Sequence, residues 1–155
     1  MSGIYTVQFN GVAATAQQDL FEIVPTSAKP CVVLGFGLSQ STEVGDTAEE
    51  GLSILVKSGA TTSGSGGSAP TPVANDSTAA AAGFSAEVNN TTKASAGTIV
   101  THYAYNWNIR VPMDIVFTEQ QQIILAASRR FTIELATTPT DSITLSGYLV
   151  VQEIG

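Results

Sequence analysis

Along most of this 155-residue chain, large apolar residues fall at every second position, the spacing of a strand that buries one face. Tyr5, Val7 and Phe9 alternate with Thr6, Gln8 and Asn10, and Phe21 and Ile23 flank Glu22 before Pro25 ends the run. Val32, Leu34, Phe36 and Leu38 alternate with Val33, Gly35 and Gly37; Leu52, Ile54 and Val56 form a fourth stripe. The longest pattern covers 99–109, with Tyr103, Tyr105, Trp107 and Ile109 on one side and His102, Asn106 and Asn108 on the other. Met113, Ile115 and Phe117 follow Pro112, the short run 123–125 is ambiguous, and Phe131, Ile133 and Leu135 alternate with Thr132 and Glu134. Ile143, Leu145, Leu149 and Val151 close the series.

These stripes predict an all-β fold, an antiparallel, jelly-roll-like sandwich of about eight to nine strands within a single domain, 1–155. No long apolar pattern of helical period occurs; the best helical candidates are 47–52 and 119–125, a turn or two each. An immunoglobulin-like sandwich is the runner-up, but the chain has one cysteine and so lacks the Cys…Trp…Cys spacing. Between the stripes, 22 of the 25 residues from 59 to 83 are Gly, Ala, Ser, Thr or Pro. Such a segment has too few large side chains to form a core of its own. It reads as a long surface excursion that extends from the sandwich, with one helical turn over 79–82.

Charge narrows the partners. Only 12% of residues are charged, against roughly 25% in a typical domain. Six Lys and Arg face thirteen Asp and Glu, and the only adjacent basic pair is Arg129-Arg130. Phosphate capture needs clustered cations, so no nucleic-acid partner and no polybasic membrane anchor is expected. No signal peptide is expected, because Met1-Ser2-Gly3-Ile4-Tyr5 has no basic start and leads straight into alternating residues. The apolar run 31–38 falls well short of the ~20 residues that span a bilayer, so a soluble protein is expected.

Chemistry is sparse. The single histidine, His102, lies on the polar face of its stripe, and no Gly-x-Ser-x-Gly elbow accompanies it. A surface or hydrogen-bonded structural role is the expected one. One His and one Cys do not make a zinc site, and Cys31 sits in an apolar run as a small buried residue. Glu43, Asp46, Glu49 and Glu50 form the densest acidic group, but their spacing is not that of an EF-hand and a solvated loop is expected. No two carboxylates stand out as a glycosidase pair. Gly35-Phe36-Gly37 is followed by no helix and is not a dinucleotide fingerprint. Tyr103, Tyr105 and Trp107 have the spacing of a sugar-stacking ladder as well as that of a buried strand face, and burial is expected. No catalytic, cofactor-binding or metal-binding residue is therefore assigned, no cofactor is expected, and the chain is read as not an enzyme.

Three stretches taken together carry a resemblance: Gly64-Ser65-Gly66-Gly67-Ser68-Ala69; the segment 82–92, from Ala82-Gly83-Phe84 to Asn90-Thr91-Thr92; and the close 141–155, with Gly147-Tyr148-Leu149-Val150-Val151 at its centre. In overall pattern, from about Phe9 onward, the chain resembles small virion structural proteins of tailed bacteriophages. The resemblance implies a virion component, a capsid decoration (cement) protein with a jelly-roll body, and it brings no catalytic residues with it. The partners it implies are the major capsid protein or other virion proteins, together with further copies of the chain in a homo-oligomer, a trimer. The apolar stripe at the end of the chain is expected to be tied down inside a sheet or at a subunit interface. The excursion 59–83 and the segment 1–5 are expected to reach out to neighbours. The alternative is a receptor- or carbohydrate-binding sandwich of a phage tail or fibre tip.

Overall fold

The computed structural model describes residues 3–26, 28–43, 45 and 49–155. Eleven strands follow one another: β1 (Gly3–Ala14), β2 (Gln18–Pro25), β3 (Cys31–Gln40), β4 (Gly51–Thr62), β5 (Val73–Ala74), β6 (Phe84–Asn90), β7 (Ser95–Asn108), β8 (Met113–Val116), β9 (Ile123–Leu125), β10 (Phe131–Leu135) and β11 (Ile143–Glu153). No helix occurs among the described residues. The strands form two antiparallel sheets. Sheet A has the order β5-β1-β11-β3-β8, with β9 beside β8 on the same edge of β3; sheet B has the order β6-β2-β10-β4-β7. Pairing is nested: β1 with β11, β2 with β10, β3 with β8 and β9, β4 with β7.

The two sheets face each other over one contiguous cluster of buried side chains. Phe21, Phe36, Phe131, Ile54, Ile133, Leu135 and Leu145 are fully buried in it. Three aromatic pairs join the sheets: Tyr5 with Phe84 at 5.8 Å, Phe9 with Phe21 at 5.2 Å and Phe36 with Tyr105 at 6.0 Å between ring centroids. The alternation read in the sequence places these rings, but β3 changes phase at a bulge at Leu34, so Cys31 and Val33, not Val32 and Leu34, share the core with Phe36 and Leu38. β11 lies in the middle of sheet A between β1 and β3, and Ile154 N–H donates to Pro30 O. The apolar end of the chain is thus held inside a sheet, which removes the sequence argument for a subunit interface there.

Four expectations are corrected. The excursion 59–83 does not extend away from the sandwich. Ser65 and Ser68 bridge to Thr92 and Val88 at the edge of sheet B, and β5 then pairs with β1 at the edge of sheet A. Tyr5 O–H donates to Ala80 O, and Gly83 N–H donates to the Glu153 carboxylate. The segment is a strap closing both sheet edges on one side, which blocks the unpaired backbone groups that make edges adhesive. The helical turn expected over 79–82 is absent; the tight turn lies earlier, where Asp76 accepts from Thr78 N–H and Ala79 N–H donates to Asp76 O. Of the helical candidates, 119–125 is a turn closed by Gln121 and Gln122 N–H on Thr118 O, followed by β9, while Gly51 and Leu52 open β4 and 47–48 lie outside the described residues. Gly3, Ile4 and Tyr5 are paired with β11 and do not reach out; residues 1–2 lie outside the described residues.

Candidate functional site

The residues that chemistry singled out in the sequence are dispersed. His102 is a bulge in β7, because the register passes from Tyr103 opposite Val56 to Thr101 opposite Lys57. Its Nε2 lies 2.8 Å from Ser58 Oγ, and Arg129 Nη2 donates to the same hydroxyl at 3.1 Å. Partial burial, then the Arg129 charge, lowers the His102 pKa. The pair has the spacing of a nucleophile and its base. Ser58 is buried, however, and the charged neighbour is a cation where a triad needs an orienting carboxylate. The Cys31 thiol is pushed up to about 11 by burial, then by the Glu153 charge. Of the acidic group, Glu50 accepts from Thr140 N–H and O–H, and Asp46 lies outside the described residues. Among the described residues no cluster of three His, Cys, Asp or Glu has the closeness of a metal site. Trp107 is buried with its Nε1 donating to Val111 O, and Tyr103 stacks on Phe117, so this ladder is a core face.

The two outer faces of the sandwich differ sharply. Over β2 and β10 of sheet B the chain covers itself, while β7 at the edge of that sheet stays exposed, with Ile99 and Val100 in the open. Glu22, buried on β2, accepts from Arg130 Nε at 2.7 Å, Ser63 O–H at 2.7 Å, Gly64 N–H at 2.9 Å and Asn90 Nδ2 at 3.1 Å. Glu134 pairs with Lys57 and with Lys93, the latter at 2.7 Å. Burial works to raise the Glu134 pKa, but its bonds to the two lysines outweigh it and hold the carboxylate below its usual range. Asp19 accepts from Ala94 N–H at 2.7 Å. Three of the six Lys and Arg (Lys57, Lys93 and Arg130) are engaged on this side. β10 is consequently buried at all five positions, on both faces.

Sheet A is exposed over much of its outer face, although Val32 near its middle is buried. The register lines up its outward residues in rows. Ile4, Gln152, Val32 and Ile124 form the first row; Val73, Thr6, Val150, Gly35 and Val116 form the second. Val116 is 79% exposed, Ile124 68% and Val73 61%, large values for β-branched residues in strands. With Ile4 and Tyr148 they make five of the nine exposed large hydrophobics among the described residues, all on one face. The third row is Gln8, Tyr148, Gly37 and Asp114, and the fourth contains Ser146 and Ser39. Tyr148 donates to Asp114 Oδ1. That bond, with smaller effects of burial and the Asp114 charge, pushes the phenol up to about 12, so it stays protonated. A groove of about 550 Å³ opens over this polar end, lined by Gln8, Ser39, Tyr148, Pro112 and Met113. Asp114 is the one ionisable carboxylate in these rows, and no Lys or Arg stands in them.

The sequence reading missed this face. Its alternation marks which residues point away from the core, but not which outward face the chain later covers.

No family model and no curated protein matches the chain. Among solved structures it aligns with VP17, a capsid protein of bacteriophage P23-77, at 10% identity over 99% of this chain and 97% of that one, with a TM-score of 0.16. A superposition this loose carries no argument about fold or role.

Proposed function

We propose that this chain is a non-enzymatic virion structural protein, a jelly-roll capsid decoration protein that binds and stabilises the assembled phage head as a homo-oligomer, a trimer. The observation that carries the reading is the outer face of sheet A, which exposes Ile4, Val73, Val116 and Ile124 and holds one carboxylate and no cation in its rows, whereas the centre of sheet B is covered by the chain's own strap and ion pairs. Exposed large apolar side chains gathered on one face of an otherwise well-packed domain mark an interaction site. The nested strand pairing supports the jelly-roll assignment, since a long hairpin wrapped into two sheets gives this order. The resemblance in sequence to tailed-phage virion proteins supports the head as partner and three as the number of copies. A neutral face avoids the desolvation penalty of burying ions. Several such faces on one symmetric oligomer turn weak footprints into avidity.

The test is where the protein sits in purified virions. Immunogold labelling and copy counting by mass spectrometry should find many copies spread over the head. A few copies confined to the tail would replace this reading with the receptor-binding alternative, and absence from the particle would end both.

A further inference from the structure

The polar end of sheet A has a second property that a docking face does not require. Tyr148 lies directly opposite Gly37, and Gly37 lies directly opposite Asp114. A Cβ at position 37 would stand 2.2 Å from Tyr148 Cε1 and 2.5 Å from Cζ. The ring therefore lies across the strand in the space a side chain would fill, and its hydroxyl is tied to Asp114 on the far side. It is 37% exposed, so it is a fixed aromatic surface facing solvent. Around it, Ser146 O–H donates to Asn10 Oδ1 at 2.8 Å, while Gln8 and Ser39 present an amide and a hydroxyl to the groove.

The lining decides the class of ligand. It contains no Lys or Arg, so an anion finds no counter-charge. Its one carboxylate is too few for a calcium or magnesium ion. A wholly apolar ligand would strip water from Asp114, Gln8 and Ser39 and return no hydrogen bonds. A neutral polyol satisfies every group. Its C–H face rests on the ring, whose π-surface is negative. Its hydroxyls donate to the Asp114 oxygen that Tyr148 leaves free, and both donate to and accept from the amide and the serine. The groove volume of about 550 Å³ falls within the range of small-ligand clefts, roughly 300–1,000 Å³. We propose that this groove is a saccharide-binding site, with Tyr148 as the stacking platform and Asp114 and Gln8 as the hydroxyl-reading groups. The proposal stands independently of the protein's place in a particle.

Amide chemical-shift mapping on the full chain tests it, with glucose, galactose, N-acetylglucosamine, lactose, maltose and chitobiose as probes. Concentrations on the order of 10 mM reach the millimolar affinities expected of a shallow site. At least one sugar should move resonances of Gln8, Ser39, Asp114 and Tyr148 while leaving sheet B unchanged. Tyr148→Ala should weaken that binding about tenfold or more, as loss of an aromatic stacking surface does. Gln8→Ala, which disturbs no packed group, should weaken it several-fold. No shift with any of the six sugars would overturn the proposal. So would shifts that persist undiminished in both variants.

Discussion

Asp19 is where the fold opposes a charge most directly. It is buried, its Oδ1 has no hydrogen-bond partner, and its pKa is raised to about 6, first by burial. The Ala94 N–H and Lys57 favour the charged form, while Glu134 and Glu22 oppose it. Because the folded value lies above the unfolded one, near 4, ionisation works against folding: the penalty is absent below about pH 4 and complete above about pH 6. Asp19→Asn keeps an oxygen for Ala94 N–H and removes the charge. It should stabilise the protein by roughly 1–3 kcal/mol at pH 7.5 and leave it unchanged at pH 4. Denaturant melts at the two pH values measure this, and equal effects at both would contradict it. His102→Ala should cost about 1 kcal/mol, the worth of one hydrogen bond to Ser58, and leave any contact function intact. A hydrolytic activity that vanishes in that variant would oppose a non-catalytic role. The Ser58–His102 contact was not legible in the sequence, because the two residues are 44 apart and meet through a bulge.

Among elements, the strap is decisive. The sequence leads one to expect that deleting 60–82 leaves the fold intact. The structure gives the opposite expectation: the deletion removes the Ser63 and Gly64 donors from Glu22, exposes the edges of β1 and β6, and unties Ala80 from Tyr5. A loss of about 3 kcal/mol or more, roughly 10 °C in melting temperature, is expected by circular dichroism. A melting point within two or three degrees (about 1 kcal/mol) of the intact protein would contradict it. The segment was illegible because backbone bridges and serine donors leave no periodic signature, whereas strands that bury one face do. β4, with Leu52, Ile54 and Val56 inward, could be read directly. β9 was ambiguous because three residues hold too little of the pattern: Ile123 and Leu125 turn in and Ile124 out.

At the scale of the molecule, the two outer faces of the sandwich carry different charge and exposure. A chain with net charge -7 pairs three of its six cations with carboxylates over the centre of sheet B, and leaves the outer face of sheet A nearly neutral. Binding through that face should weaken little between low and moderate salt, because screening acts on charges that are not there. Light scattering at micromolar concentration should return a multiple of 16.0 kDa, three copies on the present reading; a stable monomer would contradict the oligomer. The most direct measurement is occupancy of purified, protein-stripped heads by the double variant Val116→Glu, Ile124→Glu. Both side chains are exposed, so the variant should melt within about 1 kcal/mol of the parent. Its occupancy on heads should fall at least about tenfold, as charges are buried against an apolar footprint. Full occupancy by the folded double variant would show that sheet A is not the contact face.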